Sequence, residues 1–519
     1  MQSITSTGAS GIIVDIECHL SNNLPNIIIV GFANKAVNEA RERIRGAFAT
    51  SRIMLPRKRV IINLAPADVP KADSGFDLAI AVAILVASDQ VRVEVPASAA
   101  FIGELGLDGN TRAVRGIIGK ILVGRARGIN TFYVPAANLK QAQLVPDVVL
   151  VPIQDLAELF CHLNATIPVQ TVHTRDGKYT PAADPVLAGE HGSSKAEGVQ
   201  LGDIVGQLLA KRALEIAAAG GHNILLSGPP GTGKSMLAKA MPSILPPLNR
   251  EEVLEVTHLH SLASHDYEQI ISQRPFRAPH HGASTVAVTG GGSNVRPGEL
   301  SLAHRGILFF DEFPEFSRTT LESLRQPLED RIISVSRATG SVEFPANFIL
   351  VATANPCPCG YYGTPSGCHC AAAQKFNYQN RFSGPIMDRI DLSCDVHEID
   401  HTLLLAQPVS RSSPGDTDSQ AARKRIIQAR KLQSDRLGPS RLNTDMSNLE
   451  IKQLARLEPD AIESLNNAAR TYALSARAYM RTIKVARTIA DLEASPTIYK
   501  THMSEALALR PKSRQEKHA

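Results

Sequence analysis

The stretch Gly228-Pro-Pro-Gly-Thr-Gly-Lys-Ser235 decides the fold of this chain. Its glycines let backbone N–H groups curl around the β- and γ-phosphates of a nucleotide, while Lys234 adds a positive charge and Ser235 a hydroxyl that can bind Mg²⁺. A strand-like apolar run at residues 223–227 precedes it, and a predicted helix opens at Lys234, so that phosphates would meet a helix N-terminus. The pattern predicts an α/β domain that binds ATP through Gly228, Pro229, Pro230, Gly231, Thr232, Gly233, Lys234 and Ser235.

A second apolar run, Ile307-Leu-Phe-Phe310, ends in Asp311-Glu312. Asp311 is expected to hold Mg²⁺ together with Ser235, and Glu312 to orient and deprotonate the attacking water, because phosphoryl transfer asks the protein mainly for positioning and charge stabilisation. Asn355 directly follows the strand predicted at residues 348–352. It is either a turn residue or a group that polarises the water or senses the γ-phosphate, and its place after the strand that follows Asp311-Glu312 favours the second interpretation.

Further arginines are candidate partners of the terminal phosphate. Arg389 lies between two acidic residues, which fits either a surface ion pair or an arginine finger that one subunit of a ring presents to its neighbour. Arg477, Arg481 and Arg487 lie at helical spacing in a predicted lid, and we expect one of them to reach the nucleotide and the others to be surface charge. The predicted catalytic residues are Lys234, Asp311, Glu312, Asn355 and Arg389.

Four of the seven cysteines fall within fourteen residues, at Cys357, Cys359, Cys368 and Cys370. Thiolates suit Zn²⁺, and four of them close a tetrahedral structural site. The alternative is a mobile loop of unligated thiols, since Cys-x-Cys is less usual than Cys-x-x-Cys, and His369 could replace one ligand. We expect a structural zinc site.

Two segments are predicted to face the central channel of a ring. One runs from Arg274 to Arg296, between the phosphate loop and Asp311, and the other is a predicted hairpin at residues 332–344. Arg296, together with Arg331 and Arg337, expected near the hairpin tip, is predicted to contact DNA phosphates, which would position DNA without reading its sequence.

The length and net charge of the chain limit the number of domains and the kinds of partner that we expect. A chain of 519 residues predicts about three domains, and a net charge of +5 permits a polyanionic partner without requiring one. Basic clusters at residues 41–59 and 423–441 fit solvated helix faces as well as nucleic-acid contact. The first residues carry no basic and apolar secretory pattern, and the longest apolar run, residues 78–87, is too short to span a bilayer. We therefore expect a cytoplasmic protein without membrane contact.

The order of strand-like and helix-like patterns predicts a multidomain α/β protein. We expect an α+β domain at residues 1–165, a polar linker at 166–200, the nucleotide-binding domain with its four-cysteine loop at 201–398, a helical lid at 399–510 and a polar tail at 511–519. In the first domain the patterns predict strands at 14–18, 26–30, 60–64, 101–104 and 131–134 and helices at 33–50, 76–88 and 116–127.

These residues in this order resemble the ComM/YifB family of magnesium-chelatase-like AAA+ ATPases. The resemblance is carried by Arg274-Pro-Phe-Arg-Ala-Pro-His-His281, Pro297-Gly-Glu-Leu-Ser-Leu-Ala-His304, Leu324-Arg-Gln-Pro-Leu-Glu329, Asn355-Pro-Cys-Pro-Cys-Gly360 and Lys484-Val-Ala-Arg-Thr-Ile-Ala-Asp-Leu492. It implies a hexameric ring with ATP at subunit interfaces, and for the ComM members a DNA helicase that drives branch migration during natural transformation.

The first domain also resembles the proteolytic domain of Lon-type proteases, through Phe101-Ile-Gly-Glu104 and residues 120–129. Peptide cleavage there would need a Ser-Lys dyad. Gly75 falls at the place of the nucleophile and Ile118 at that of the lysine, although Ser74 and Lys120 are near. We expect a retained scaffold that has lost its chemistry.

Three function classes follow from the sequence. The favoured class is an ATP-driven motor that acts on single-stranded and branched DNA. The second is the motor subunit of a metal chelatase, acting on a tetrapyrrole or a protein partner, and the third is an ATP-dependent protease or unfoldase. The amino-terminal domain and the cysteine loop argue against the second class, and the missing dyad argues against the third.

Overall fold

The computed structural model describes residues 1–7, 10–31, 35–67, 75–174, 198–264, 266–292, 295–337, 340–364, 367–381, 384–398 and 418–511. Ser74, the core of the predicted linker (175–197), the start of the predicted lid (399–417), both hairpin tips (293–294 and 338–339) and the tail (512–519) lie outside these residues. The mixed α/β architecture agrees with the fold class predicted from the sequence.

The amino-terminal domain is built on one mixed sheet of eight strands in the order β10-β9-β8-β5-β1-β2-β4-β3. The strands of this domain, including a separate two-stranded β6–β7 ladder, are β1 (Gln2–Thr7), β2 (Ser10–Ser21), β3 (Asn26–Val30), β4 (Arg59–Ala65), β5 (Ala99–Phe101), β6 (Glu104–Leu105), β7 (Thr111–Arg112), β8 (Thr131–Pro135), β9 (Val149–Ile153) and β10 (Val172–His173). Its helices are α1 (Lys35–Thr50), α2 (Asp77–Ala87), α3 (Ile117–Ala126), α4 (Leu139–Ala142) and α5 (Leu156–Leu163).

Local patterns explain this domain. In β4 the apolar residues Val60, Ile62 and Leu64 are buried and alternate with less buried neighbours, as a period of two requires. In α2 nearly every residue is apolar and buried, so the helix forms the core instead of a surface face. The predicted strand at 101–104 is wrong in its bounds, because β5 ends at Phe101 and β6 begins at Glu104. The sheet continues to β10, beyond the domain end predicted at 165.

The central domain holds a five-stranded parallel sheet in the order β12-β15-β18-β11-β19. Its strands, with those of two hairpins, are β11 (Ile224–Ser227), β12 (Phe276–Arg277), β13 (Gly290–Gly291), β14 (Arg296–Pro297), β15 (Ile307–Phe310), β16 (Ile332–Arg337), β17 (Gly340–Pro345), β18 (Ile349–Ala354) and β19 (Leu392–Asp395). Its helices are α6 (Leu208–Gly220), α7 (Lys234–Ile244), α8 (Arg250–Ala263), α9 (Thr285–Thr289), α10 (Glu299–Leu302), α11 (Arg318–Ser323), α12 (Arg325–Asp330), α13 (Ala372–Asn380) and α14 (Gly384–Met387).

The order of this sheet positions the chemistry. The strand before the phosphate loop, β11, lies between β18 and β19, and all three run parallel. Every residue of β15 and β18 is buried, as expected for strands covered on both faces. Because parallel strands end at the same edge, the residues that follow β11, β15 and β18 meet at the carboxyl edge of the sheet.

The carboxyl-terminal region is helical. It contains α15 (Asp418–Leu437), α16 (Asn448–Leu454), α17 (Pro459–Thr471), α18 (Ala476–Leu492) and α19 (Lys500–Ala508). Its basic helix α15 packs against α6 and α7. Several arginines of the 423–441 cluster are used inside the fold: Arg425 pairs with Glu215, Arg436 with Asp491 and Arg441 with Glu450.

The amino-terminal domain packs directly on the central domain. Apolar side chains of α3 and α8 share one cluster, including Ile117, Ile121 and Val253. A Cβ built on Gly119 would lie 2.4 Å from the His258 ring, so the close approach of α3 to α8 needs glycine there. Within the residues described, no helix has the length and apolar character needed to cross a membrane.

Candidate functional site

The phosphate loop joins β11 to α7. Gly231 and Gly233 have φ angles of 81° and 87°, a region that favours glycine, and the helix begins at Lys234. The Lys234 ammonium donates to the backbone oxygens of Gly228 (2.7 Å) and Pro229 (2.6 Å). Burial lowers its pKa, whereas Asp311 and Glu312 act to raise it. The lysine is thus held over the loop, where phosphate oxygens can replace the two carbonyls.

The hydroxyl and the carboxylate predicted to share Mg²⁺ are in contact. The Ser235 hydroxyl donates to both Asp311 carboxylate oxygens, at 3.1 and 3.0 Å. Thr353 of β18 donates to Asp311 Oδ1 at 2.6 Å and fixes the carboxylate from the other side. A hard cation with oxygen ligands fits this pair, because one neutral and one anionic oxygen face the phosphate loop.

Glu312 is presented by an unusual backbone. Its φ and ψ are 52° and 51°, in the left-handed region, and its N–H donates to Thr353 Oγ1 at 3.0 Å. A non-glycine residue in this region is typical of a functional position, where surrounding contacts offset the strain. The side chain is exposed at the carboxyl edge, one residue after Asp311. Thr353 therefore orders both acidic residues.

Asn355 follows β18 without a gap, at the same edge of the sheet. The backbone of Asn355 is hydrogen-bonded to the hydroxyl of Tyr378 in α13. Burial raises the pKa of Tyr378 to about 12, although this hydrogen bond acts to lower it. Tyr378 therefore stays a neutral phenol at physiological pH and anchors the backbone of Asn355. The structure brings Lys234, Asp311, Glu312 and Asn355 to one edge, as their strands require.

The four clustered cysteines converge. All four sulfurs lie within 4.8 Å of one another, and the Cys357 Sγ to Cys359 Sγ distance is 3.3 Å. Cys368 Sγ is 3.6 Å from each of these two sulfurs. In a tetrahedral site with Zn–S bonds of about 2.3 Å, sulfurs would be separated by about 3.8 Å. The donor set and its spacing therefore fit Zn²⁺.

The cysteine loop touches the phosphate loop. Gly360, with φ of 85°, lies so close to Pro230 that a Cβ there would be 2.6 Å from two Pro230 ring carbons. Cys357 is fully buried and is two residues from Asn355. The cluster can therefore hold two parts of the nucleotide site, the phosphate loop through Gly360 and the carboxyl end of β18 through Cys357.

A second polar site lies at the amino edge of the same sheet. It is a cavity of about 640 Å³ between the central domain and the helical region. Its basic lining residues are Arg331, Arg389, Arg477, Arg481 and Lys484, and its acidic ones are Glu329, Asp388, Asp391 and Asp445. Arg389, Arg477 and Arg481, predicted to act on the terminal phosphate, thus lie together. Arg487 is neither in this lining nor a surface charge, because it is buried and pairs with Asp491 at 3.0 Å.

Glu329 joins two of these arginines. Its carboxylate is 2.5 Å from Arg389 Nη2 and 2.6 Å from Arg477 Nη2. Hydrogen bonding from Arg389, followed by that from Arg477, lowers the Glu329 pKa despite some desolvation. Arg481 donates to the Asp388 carbonyl oxygen at 2.6 Å and lies 3.9 Å from Asp391 Oδ1. The cavity is therefore an organised set of guanidinium groups.

The two polar sites are separated by the length of the sheet. Asn223 lines the cavity before β11, and Gly228 begins the phosphate loop after it. Five residue steps of about 3.3 Å place them about 16 Å apart. Arg389, Arg477 and Arg481 consequently do not lie beside the phosphate loop of their own chain.

The three arginines predicted to contact DNA are not together. Arg296 is exposed in the β13–β14 hairpin, and Arg337 ends β16 beside the tip of the second hairpin. The placement of Arg331 near that tip is wrong. It precedes β16 at the hairpin base and pairs with Asp445 at 3.8 Å, because the chain turns there with φ of 60°.

Sequence reasoning missed three residues that organise these sites. Thr353 carries a signal in the sequence, a hydroxyl inside an otherwise apolar strand. Gln207 donates to the backbone oxygens of Thr232 and His397. Its position just before α6 does not predict these contacts. Glu329 lies within the family signature Leu324–Glu329, but only the fold reveals which arginines it contacts.

The parallel sheet with its phosphate loop, acidic strand end and helical lid defines an AAA+ nucleotide-binding protein. Family models for magnesium chelatase match three parts of the chain: subunit ChlI of Mg-chelatase at residues 16–138, magnesium chelatase subunit ChlI at 200–404, and its C-terminal region at 416–510. The chain belongs to the ComM/YifB family of magnesium-chelatase-like AAA+ ATPases. This membership suggests an ATPase.

Similar proteins support this assignment over nearly the whole length. The chain is 40% identical to the competence protein ComM of Haemophilus influenzae over 508 residues, covering 97% of this chain and 96% of that protein. It is 40% identical to YifB of Salmonella typhimurium over 500 residues, covering 96% and 94%. The magnesium-chelatase 67 kDa subunit of Heliobacterium mobile is 28% identical over 193 residues, 31% of this chain and 29% of that protein.

Proposed function

We propose that this protein is an ATP-driven DNA motor that works as a homohexameric ring in the cytoplasm and drives branch migration during natural transformation or recombination. The observation that supports a ring is the distance between the two polar sites of one chain. The phosphate loop and Asp311 lie at one edge of the sheet, and Arg389 lies at the other. A second copy is needed to bring Arg389 to a nucleotide.

In this proposal ATP binds to the phosphate loop, and Lys234 moves from the loop carbonyls to the β- and γ-phosphates. Ser235 and Asp311 would hold Mg²⁺, which neutralises charge on the phosphate oxygens when it is bound. Glu312 orients and deprotonates the attacking water, and Asn355 polarises it from the neighbouring strand end. Thr353 keeps Asp311 and Glu312 in register during this step.

The neighbouring subunit completes the site. Arg389 would act as the finger that stabilises charge on the γ-phosphate, and Arg477 and Arg481 would contact the same nucleotide from the helical region. All three come from one cavity lining, so one docking movement delivers them together. Contributions of this kind are worth on the order of a thousandfold or more in rate.

Two hairpins are proposed to face DNA in the channel. A Cβ built on Gly291 of the first hairpin would be 3.9 Å from Val335 of the second, so the hairpins are neighbours. Arg296 and Arg337 would meet phosphates, a contact without sequence preference. The name competence protein ComM supports a role in competence, and a second name supports a role on DNA: over 188 residues the chain is 26% identical to DNA replication licensing factor MCM2 of Arabidopsis thaliana.

The four cysteines are proposed to bind one structural Zn²⁺. The metal would cross-link residues 357–370 and so fix Gly360 against Pro230. This role is positional, since four thiolates leave no coordination place for substrate.

A chelatase motor is the second candidate, favoured by the match to the Heliobacterium mobile subunit. A protease has less support, because Lys120 is completely buried and donates to the Ile4 carbonyl oxygen at 3.1 Å.

The test compares ATP hydrolysis alone, with single-stranded DNA and with a four-way junction. A DNA motor should be stimulated by DNA at low salt and should move the branch point of a labelled junction. Absence of both effects would remove the helicase proposal and favour the chelatase-like alternative. A Lys234→Ala preparation serves as the control for contaminating ATPases.

A further inference from the structure

We propose that the Glu329 carboxylate occupies the position on the arginine finger that the neighbour's terminal phosphate would otherwise take. A ring interface then engages ATP only when the γ-phosphate displaces this carboxylate. The inference rests on the proposed function and concerns its regulation. It assigns Glu329 as a positioning residue that acts through Arg389 and Arg477.

The geometry of the contact carries the inference. One carboxylate oxygen of Glu329 meets Arg389 and the other meets Arg477, at 2.5 and 2.6 Å. A γ-phosphate offers the same planar guanidinium groups two anionic oxygens at a similar spacing, with greater charge. The carboxylate and the phosphate therefore compete for the same donors.

Exposure decides whether this exchange is feasible. The Glu329 side chain is 42% exposed and that of Arg477 is 48% exposed, whereas that of Arg389 is 10% exposed. Exposed ion pairs contribute little stability, because water solvates the separated charges well. The bond is thus strong enough to hold a guanidinium in place and weak enough for a phosphate to replace the carboxylate.

The second partner of Arg389 supports a held position. Arg389 Nη1 also donates to the Pro385 carbonyl oxygen, and the Arg389 backbone carbonyl accepts from the Asn223 side chain at 3.0 Å. The base of the finger is consequently fixed at the edge of the sheet. Among the ion pairs of the described residues, the Arg389 guanidinium has one with Glu329 and no other. Release from Glu329 changes where the guanidinium can point without moving its backbone.

The prediction is a difference between two nucleotides. Glu329→Gln should tighten binding of the non-hydrolysable analogue AMP-PNP to the assembled protein about two- to thirtyfold, the range expected for loss of two ion pairs made by an exposed carboxylate. ADP has no γ-phosphate, so its affinity should not change. A merely structural glutamate would alter both affinities or neither.

The experiment titrates AMP-PNP and ADP by calorimetry into wild type, Glu329→Gln and a matched control, Glu322→Gln. Glu322 also pairs with an arginine, Arg325, at 2.6 Å, but it is not part of the cavity lining. In an Arg389→Ala, Arg477→Ala background, Glu329→Gln should have no effect. An unchanged ratio of AMP-PNP to ADP affinity in Glu329→Gln, or the same change in the control, would overturn the inference.

Failure of this inference can be distinguished from failure of the ring proposal. If Arg389→Ala stops hydrolysis and mixed rings recover activity, the finger stands whatever Glu329→Gln does. If mixed rings do not recover, the finger itself is wrong, and the Glu329 contact is an ordinary surface ion pair. Native mass spectrometry of each variant checks that assembly is equal.

Discussion

The two edges of the central sheet differ in the residues that form them and in what those residues can bind. At the carboxyl edge, a glycine-rich backbone and short side chains form a phosphate site whose members touch each other, as Ser235 does Asp311. At the amino edge, long arginine side chains line an open cavity and are held by acidic residues such as Glu329. The first edge is ready to bind a phosphate, whereas in our proposal the second must exchange one anion for another. The difference teaches that a single chain can carry two complementary half-sites that, in the proposed ring, only a second copy would join.

The largest effect is expected at the carboxyl edge. Lys234→Ala should abolish ATP turnover, because the phosphates lose their main cation. Glu312→Gln should preserve ATP binding but lower turnover by about a hundredfold or more, since only the base is lost. Nucleotide-binding and steady-state ATPase measurements check both. A Glu312→Gln protein that neither binds ATP nor assembles would contradict the role given to Glu312.

The amino edge should show a comparable loss that can be rescued. Arg389→Ala should reduce hydrolysis by on the order of a thousandfold, yet mixing it with Lys234→Ala should restore part of the activity, because each variant supplies the half-site that the other lacks. Arg318→Ala, at an exposed arginine outside the cavity, serves as the control. No recovery in verified mixed rings would argue for a structural ion pair.

A smaller effect should pass from the cysteine cluster to the carboxyl edge. The purified protein should contain about one zinc per chain. Cys359→Ser or removal of the metal should lower turnover roughly ten- to a hundredfold by misplacing Pro230 and Asn355. Cys161→Ser, a cysteine outside the cluster, should have no such effect. Elemental analysis without zinc would contradict the metal site, and normal ATPase after chelation would separate the cluster from the nucleotide site.

The smallest effect should spare both edges. Arg337→Gln should weaken DNA binding similarly for all sequences and reduce the salt slope of log affinity by about 1, since one phosphate contact is lost. DNA-free ATPase should stay the same, because the hairpin lies away from the nucleotide. Arg470→Gln, at an exposed arginine on α17, should leave the slope unchanged. Fluorescence anisotropy at several salt concentrations measures this.

The carboxyl edge could be predicted from the sequence and the amino edge could not. Sequence motifs predict the phosphate loop, the strand before Asp311 and the position of Asn355. Because the strands of a parallel sheet end at the same edge, these motifs also predict that the residues lie together. The cavity is assembled from residues as distant as Arg331 and Lys484, and its partners depend on how the helical region docks. Arg331 illustrates the difficulty, since a hairpin pattern gives no means of telling its base from its tip.

The opposed edges also have a geometric consequence for assembly. In the proposed ring, each subunit would offer a donor face and a different acceptor face, so contacts between copies would be heterologous and would close only through rotational symmetry. An open arc of such subunits would have one fewer complete catalytic site than it has chains. Closure of the last gap would therefore add an active site without changing any subunit, and a seam in the ring would be catalytically silent.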